Sequence, residues 1–266
     1  MTEQRGRLDQ KVAIVTGAGS SGPGVGTGRA ISVLFARDGA RVVLVDMHED
    51  RAKDTLALIE NEGGEAMIVT ADIGEIASCQ HIVDEAVRCY GTVDILVNNA
   101  AISSSTSILD TTPELYERVL AVNLTAPFFL TKAVIPVMMK AGGGSIVNIM
   151  SIAAMRGQGG AGRTAYAASK AGMWGLMVDV ADSYGSQGIR INTIAPGIID
   201  TPMRAAAMRQ GGLDPDKIDL SSKTSLGFEG DAWDIARAAL FLAGPDGRYI
   251  TGVLLPVDGG TTARSH

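Results

Sequence analysis

Short apolar runs alternate with longer helical stretches along the chain. Residues 11–16, 40–46, 65–71, 93–98, 145–150 and 189–195 are rich in Val and Ile and apolar at successive positions. Parallel strands covered by helices on both faces read this way, whereas half-exposed antiparallel strands alternate. The stretches 28–38, 49–61, 75–90, 113–140 and 164–186 between them read as helices. A last helix over 231–243 and a seventh strand over 252–257 close the chain. This alternation, with right-handed crossovers, predicts an α/β fold with a doubly wound, seven-stranded parallel sheet flanked by helices. No linker or repeat interrupts it, so residues 1–266 read as one domain.

Two segments depart from the pattern. Residues 203–227 hold Gly211, Gly212 and Asp214-Pro215 and lack strong periodicity. An ordinary surface loop would read the same way, but such long irregular segments are often functional, and a substrate lid is expected there. In the helix from Tyr166 to Tyr184, residues Ala167, Ala168, Ala171, Gly172, Met173, Gly175, Leu176, Met177 and Val178 leave little polar face. A helix apolar all round is covered on more than one side. That predicts a homo-oligomer, with a tetramer the expected form; full coverage within one subunit is the alternative.

Composition narrows the function. The 266 residues carry a net charge of -6, with 46% hydrophobic and 20% charged positions. No basic stripe for nucleic acid is expected. Residues 1–10 are polar, without an apolar signal segment, and no uninterrupted apolar run reaches membrane-spanning length. Cys79 and Cys89 fall ten residues apart on one predicted helix, or about 15 Å, beyond the about 7 Å a disulfide spans. Free thiols in a reducing cytoplasm follow. His48, His81 and His266 lack metal-ligand spacing, so no metal site is expected.

The first strand ends in Thr16-Gly17, and a glycine-rich loop leads to Gly26-Thr27-Gly28 at a helix start. Glycines let backbone amides approach a pyrophosphate, and the helix N-terminus favours its charge. The second strand ends in Asp46, followed by Met47 and His48. An acid there accepts hydrogen bonds from ribose hydroxyls and repels an added phosphate, which favours NAD over NADP; a plain helix-capping Asp is the alternative. Tyr166 and Lys170, four apart, share one helix face.

With these residues in view, the sequence resembles the short-chain dehydrogenase/reductase family over residues 8–260. The family's T-G-x-x-x-G-x-G loop resembles Thr16-Gly17 through Gly26-Thr27-Gly28, although eight residues separate Gly17 from Gly26 instead of three. Its adenine-contacting Asp matches Asp72-Ile73, and its N-N-A-G motif matches Asn98-Asn99-Ala100, with Ala101 in place of Gly. Asn123, Ser151 and the Y-x-x-x-K pair Tyr166 and Lys170 match the catalytic positions. Pro196-Gly197 with Thr201 downstream, and Asp258-Gly259-Gly260, complete the order. The resemblance implies a doubly wound Rossmann domain with NAD against Gly17, Gly26, Gly28, Asp46, Asp72, Ile73, Asn99 and Ala100. It places the nicotinamide half against Tyr166, Lys170, Pro196, Gly197, Ile199 and Thr201. Between Ser151 and Tyr166 the interval, with Arg156, Gly157, Gly159 and Gly160, is slightly long for the family.

The implied reaction moves a hydride between nicotinamide and a secondary alcohol or ketone. A phenol titrates near about 10, too high for an efficient base at neutral pH. The ammonium of Lys170 and the oxidised nicotinamide would favour phenolate, and lowering it by about three units needs roughly 4 kcal/mol. Ser151 would hold the substrate oxygen, Lys170 the nicotinamide ribose, and Asn123 a water linking Lys170 to solvent. Thr201 would hold the carboxamide. The substrate pocket is expected from residues 100–106, 152–162, 198–199 and 203–227, with an apolar lining from Met155, Ile198, Met203 and Met208. Two other functions fit the same fold: reduction of an acyl-carrier-bound 3-ketone, and a nicotinamide-binding sensor without turnover. The acidic balance and Asp46 disfavour the first, and the intact Asn123, Ser151, Tyr166 and Lys170 the second.

Overall fold

The computed structural model describes residues 6–104, 106–157, 163–210 and 212–264. Gly159, Gly160, Gly211 and His266, named above, lie outside the described residues. The chain runs β1 (Val12–Thr16), α1 (Thr27–Arg37), β2 (Arg41–Asp46), α2 (Glu49–Asn61), β3 (Glu65–Thr70), α3 (Ile76–Tyr90) and β4 (Ile95–Asn98). It continues through α4 (Pro113–Leu120), α5 (Ala126–Ala141), β5 (Gly144–Ile149), α6 (Thr164–Tyr184) and β6 (Ile189–Pro196). The C-terminal part adds β7 (Ile199–Asp200), α7 (Pro202–Gln210), β8 (Gly230–Asp231), α8 (Ala232–Ala243) and β9 (Leu254–Val257).

The main sheet has seven strands in the order β3-β2-β1-β4-β5-β6-β9, and every pairing is parallel. Strand order reverses between β1 and β4, so a crevice opens beyond their C-terminal ends, where open α/β sheets bind ligands. Both faces are covered. Ile31 and Phe35 of α1 pack with Ile235 and Leu240 of α8 on one side. Ile82 of α3, Leu130 and Met138 of α5 and Met177 of α6 pack on the other. Double coverage is why β1 and β2 read as continuous apolar runs. β3 is more exposed than its sequence suggests, because it is the edge strand and only Val69 within it is buried.

Three local differences from the sequence reading matter. The helix expected over 113–140 is interrupted by a π turn at Ala121–Thr125, which carries the buried Asn123. The whole run Pro113–Ala141 is long and apolar enough to cross a membrane by length and composition alone, although residues such as Asn123, Thr131 and Lys132 interrupt its apolar sequence. Its Val119, Leu130, Val134 and Met138 are buried in the core, so it serves here as a core helix. The segment 203–227 is less irregular than expected. It contains most of α7 and short 3-10 turns at Pro215–Lys217 and Ser221–Lys223.

Candidate active site

A cleft of about 1680 Å³ lies along the C-terminal ends of the strands. At its floor β1 leads into Gly17, whose φ of +64° suits glycine, and a Cβ there would stand 2.9 Å from the Cα of Ala100. At Gly28 a Cβ would stand 1.9 Å from the Gly17 carbonyl oxygen. These two positions fold the loop flat against β4. Gly26 caps α1 with no side chain, which leaves the amides of its first turn facing the cleft without a side-chain cap. The extra loop residues form a tight turn. The Ser20 hydroxyl donates to the carbonyls of Gly22 and Gly24 at 3.1 and 3.3 Å. Gly19, Ser20 and Ser21 also line the cleft, which the motif spacing alone did not reveal.

Asp46 ends β2 at the rim. Its Oδ2 accepts from the Gly19 amide and its Oδ1 from the His48 amide, both at 3.0 Å. Asn99 donates to the carbonyls of Thr16 and Gly17 at 2.8 and 3.1 Å, tying β4 to the loop after β1. Asp72 follows β3 and is held by Arg118, whose Nη2 reaches both carboxylate oxygens at 3.0 and 2.8 Å. Burial acts to raise the Asp72 carboxyl, but Arg118 and the Gly74 amide outweigh it and keep it below the usual carboxylate range. Arg118 carries no motif signal; 46 residues separate it from Asp72.

The reactive end is built by β5, α6 and the π turn. Ser151 follows β5 and caps the turn Ile152–Ala154, accepting from the Ala153 amide at 3.1 Å. Its hydroxyl also bonds that of Tyr166, near the start of α6. One turn on, Lys170 is buried, donates to the Ile149 carbonyl at 2.8 Å and sits 5.9 Å from the centre of the Tyr166 ring. Burial lowers the Lys170 ammonium to about 7. Burial also raises the Tyr166 phenol, opposed by the Ser151 hydrogen bond and the charge of Arg163. The expected lowering of Tyr166 is therefore not produced by the chain alone, because desolvation outweighs its neighbours.

Asn123 stands one layer behind. It does not line the cleft, and its amide is bonded to Ile102 and to the Ser169 hydroxyl. Ser169 in turn donates to the Tyr166 carbonyl at 2.7 Å. The other residues expected to be catalytic or to hold the cofactor line this cleft, including Ile73, Pro196, Gly197, Ile199 and Thr201. At the substrate end Ile198, Met203 and Met208 line the cleft, but Met155 does not. Met155 is 42% exposed, because the turn after Ser151 carries it outward. Alongside this apolar lining, Arg156, Arg163, Arg204, Lys223 and Arg264 also line this end.

The family profile described as enoyl-(acyl carrier protein) reductase matches residues 23–262. The 2,5-dichloro-2,5-cyclohexadiene-1,4-diol dehydrogenase of Sphingobium indicum is 38% identical over 255 residues, covering 96% of this chain and 97% of its own length. The chain belongs to the short-chain dehydrogenase/reductase family of oxidoreductases. Among solved members, a 7α-hydroxysteroid dehydrogenase complexed with NADH and 7-oxo glycochenodeoxycholic acid superposes with a TM-score of 0.85 at 36% identity. That match covers 96% of this chain and 95% of the other. The carveol dehydrogenase of Mycobacterium avium in complex with NAD superposes at 0.89 with 28% identity, covering 97% and 100%. The glycine cradle at Gly17 and Gly28, which a Cβ would fill, and the acceptor Asp46 fit the dinucleotide that short-chain dehydrogenases/reductases use.

Proposed function

We propose that this chain is an NAD-dependent dehydrogenase or ketone reductase acting on a secondary alcohol or ketone, with Tyr166 as the acid–base group. The observation that carries this reading is the cluster of Ser151, Tyr166 and Lys170 at the closed end of a glycine-floored cleft. Gly17, Gly26, Gly28, Asp46, Asp72, Ile73, Asn99 and Ala100 would hold the adenosine and pyrophosphate. Pro196, Gly197, Ile199 and Thr201, with Tyr166 and Lys170, would hold the nicotinamide half. When bound, NAD would accept or return the hydride at C4 of its nicotinamide.

In the oxidising direction Tyr166 takes the alcohol proton while Ser151 holds the oxygen. Because burial brings Lys170 to about 7, it exchanges a proton near neutrality, beside the phenol. Protonated, it places a cation against Tyr166 and favours phenolate. Asn123 acts through other groups: it fixes Ile102 and Ser169, and so the turn of α6 that carries Tyr166. The 203–227 segment is read as the substrate lid, supported by Met203, Met208, Leu213 and Leu220 on the cleft wall. A homo-oligomer, with a tetramer the expected form, is supported by Trp174 and Val178, one turn apart on α6 and 49% and 48% exposed; sedimentation gives its mass.

The deciding experiment is formation of reduced nicotinamide from pooled secondary alcohols, diols and hydroxysteroids, with NAD and NADP separately, for native protein and Tyr166→Phe. Turnover with NAD is expected, falling by about 10³-fold or more in the variant while NAD binding is kept. Near-normal turnover in Tyr166→Phe would overturn the assignment.

A further inference from the structure

The substrate end of the cleft is charged in a way the whole chain is not. The chain is net negative, at -6. Yet among the described residues the only carboxylates lining the cleft are Asp46 and Asp72, both at the adenosine end. The cations at the other end differ in their partners. Arg204 is ion-paired with Glu229, which also accepts from the Leu220 amide, so this pair is neutral and holds the 203–227 segment in place.

Arg156 and Arg264 are placed differently. Arg156 donates to the Thr261 carbonyl, and Arg264 to the carbonyls of Ser222 and Thr224. Carbonyls orient a guanidinium but do not neutralise it, and each guanidinium keeps further donors. Lys223 makes no ion pair among the described residues. The three cations flank one seam. The Ser225 and Leu226 amides donate to the Gly259 carbonyl at 2.8 and 3.1 Å, stitching 221–226 to 258–264. Lys223 and Arg264 are exposed and Arg156 is half-buried, while the carboxylates of Asp219 and Asp258 in the same segments are held by the Ser221, Gly260 and Thr262 amides, so the cations leave a locally positive surface that attracts an anion.

We infer that the substrate carries a carboxylate remote from its carbinol, held by Arg156, Lys223 and Arg264 at the seam between 221–224 and 261–264. This rests on the oxidoreductase reading above and names its substrate class: a hydroxy or oxo carboxylic acid. An arginine fork receives a planar carboxylate through two parallel hydrogen bonds, which sets the orientation of the carbinol towards Tyr166 and Ser151. The hydride and proton steps are those already described.

The test pairs turnover with binding. Turnover is compared for 4-hydroxycyclohexanecarboxylate, 9-hydroxydecanoate and a hydroxysteroid carboxylate, each against its carboxamide. Calorimetry measures cyclohexanecarboxylate, decanoate and a non-oxidisable steroid carboxylate against their amides, in the native protein and in Lys223→Glu/Arg264→Glu. Acids are expected to exceed amides by about tenfold or more in kcat/KM and in affinity, with the margin lost in the double variant and reduced at high salt. Arg264→Gln, which keeps hydrogen-bond donors without charge, should lose an intermediate share. Equal handling of acids and amides, or an unchanged margin in the double variant, overturns the inference and leaves the dehydrogenase reading standing. Tighter binding of acids without any hydride transfer would uphold the anion site and count against that reading.

Discussion

Both ends of the Asn123 amide are bonded to the main chain of Ile102: Oδ1 accepts its N–H at 2.9 Å and Nδ2 donates to its carbonyl at 3.0 Å. The π turn thereby fixes the strand-end loop after β4 to the helix below it. The second Nδ2 proton goes to Ser169, so one buried side chain links Ile102 to α6.

Asn123→Asp keeps an acceptor for the Ile102 amide but removes both donors. The Ile102 carbonyl and the Ser169 hydroxyl would then face a carboxylate in a buried place, at a cost of about 1–3 kcal/mol per unsatisfied group. A fall in Tm of at least about 3 °C by calorimetry is expected, with turnover reduced as Tyr166 loosens. An unchanged Tm would show that these bonds do not hold the turn.

The buried Lys170 gives stability a predictable pH dependence. Its ammonium is lowered to about 7 in the folded chain from an ordinary 10.5, so between those values the unfolded chain binds the extra proton. Stability therefore rises with pH across that window, and the penalty of burying the charge is fully present below it. Lys170→Met, which has no such penalty, should exceed the native protein most at pH 6, with the gap closing towards pH 10. Urea midpoints at four pH values check this; a gap constant with pH would refute it.

Asp46 holds the Gly19 amide as well as facing the cleft rim. Asp46→Ala should raise the ratio of kcat/KM for NADP over NAD by about tenfold or more, since a carboxylate no longer repels the extra phosphate. Steady-state kinetics with both cofactors decides it. An unchanged ratio would move cofactor choice elsewhere.

The two thiols should differ sharply. Cys79 is buried against the carbonyls of Ile73 and Ala126, and burial pushes its thiol up to about 11, whereas Cys89 is exposed. Iodoacetamide at pH 8 should add one label, at Cys89, and a second only after unfolding. Two labels on native protein by mass spectrometry would contradict the burial of Cys79.

Much of this arrangement was readable beforehand because it depends on local rules. Buried parallel strands show as unbroken Val/Ile runs, and the Tyr166–Lys170 spacing fixes one helix face. What escaped depends on tertiary partners. Nothing near Ala121–Thr125 marks a π turn, since no Gly or Pro lies within it and its hydrogen bonds reach residues 21 and 46 positions away. The edge position of β3 is set by sheet order, not by its own residues. Arg156, Lys223 and Arg264 are scattered in sequence and line the same end of the cleft because 221–226 is stitched to 258–264. Met155 was expected to face inward from its apolar character, but the turn direction after Ser151 decided otherwise.

The π turn also bears on how this chain can drift between lineages. It accommodates one residue more than an α-helix would over the same length, so a single deletion within 121–125 would restore ordinary winding. That repair would keep Val119 and the Leu130–Val134–Met138 stripe in register on the core and remove only the local widening that carries Asn123 towards Ile102 and Ser169. A chain that lost one residue here would keep its core packing and lose the Asn123 link between Ile102 and α6. In this stretch the extra residue serves the site and not the core.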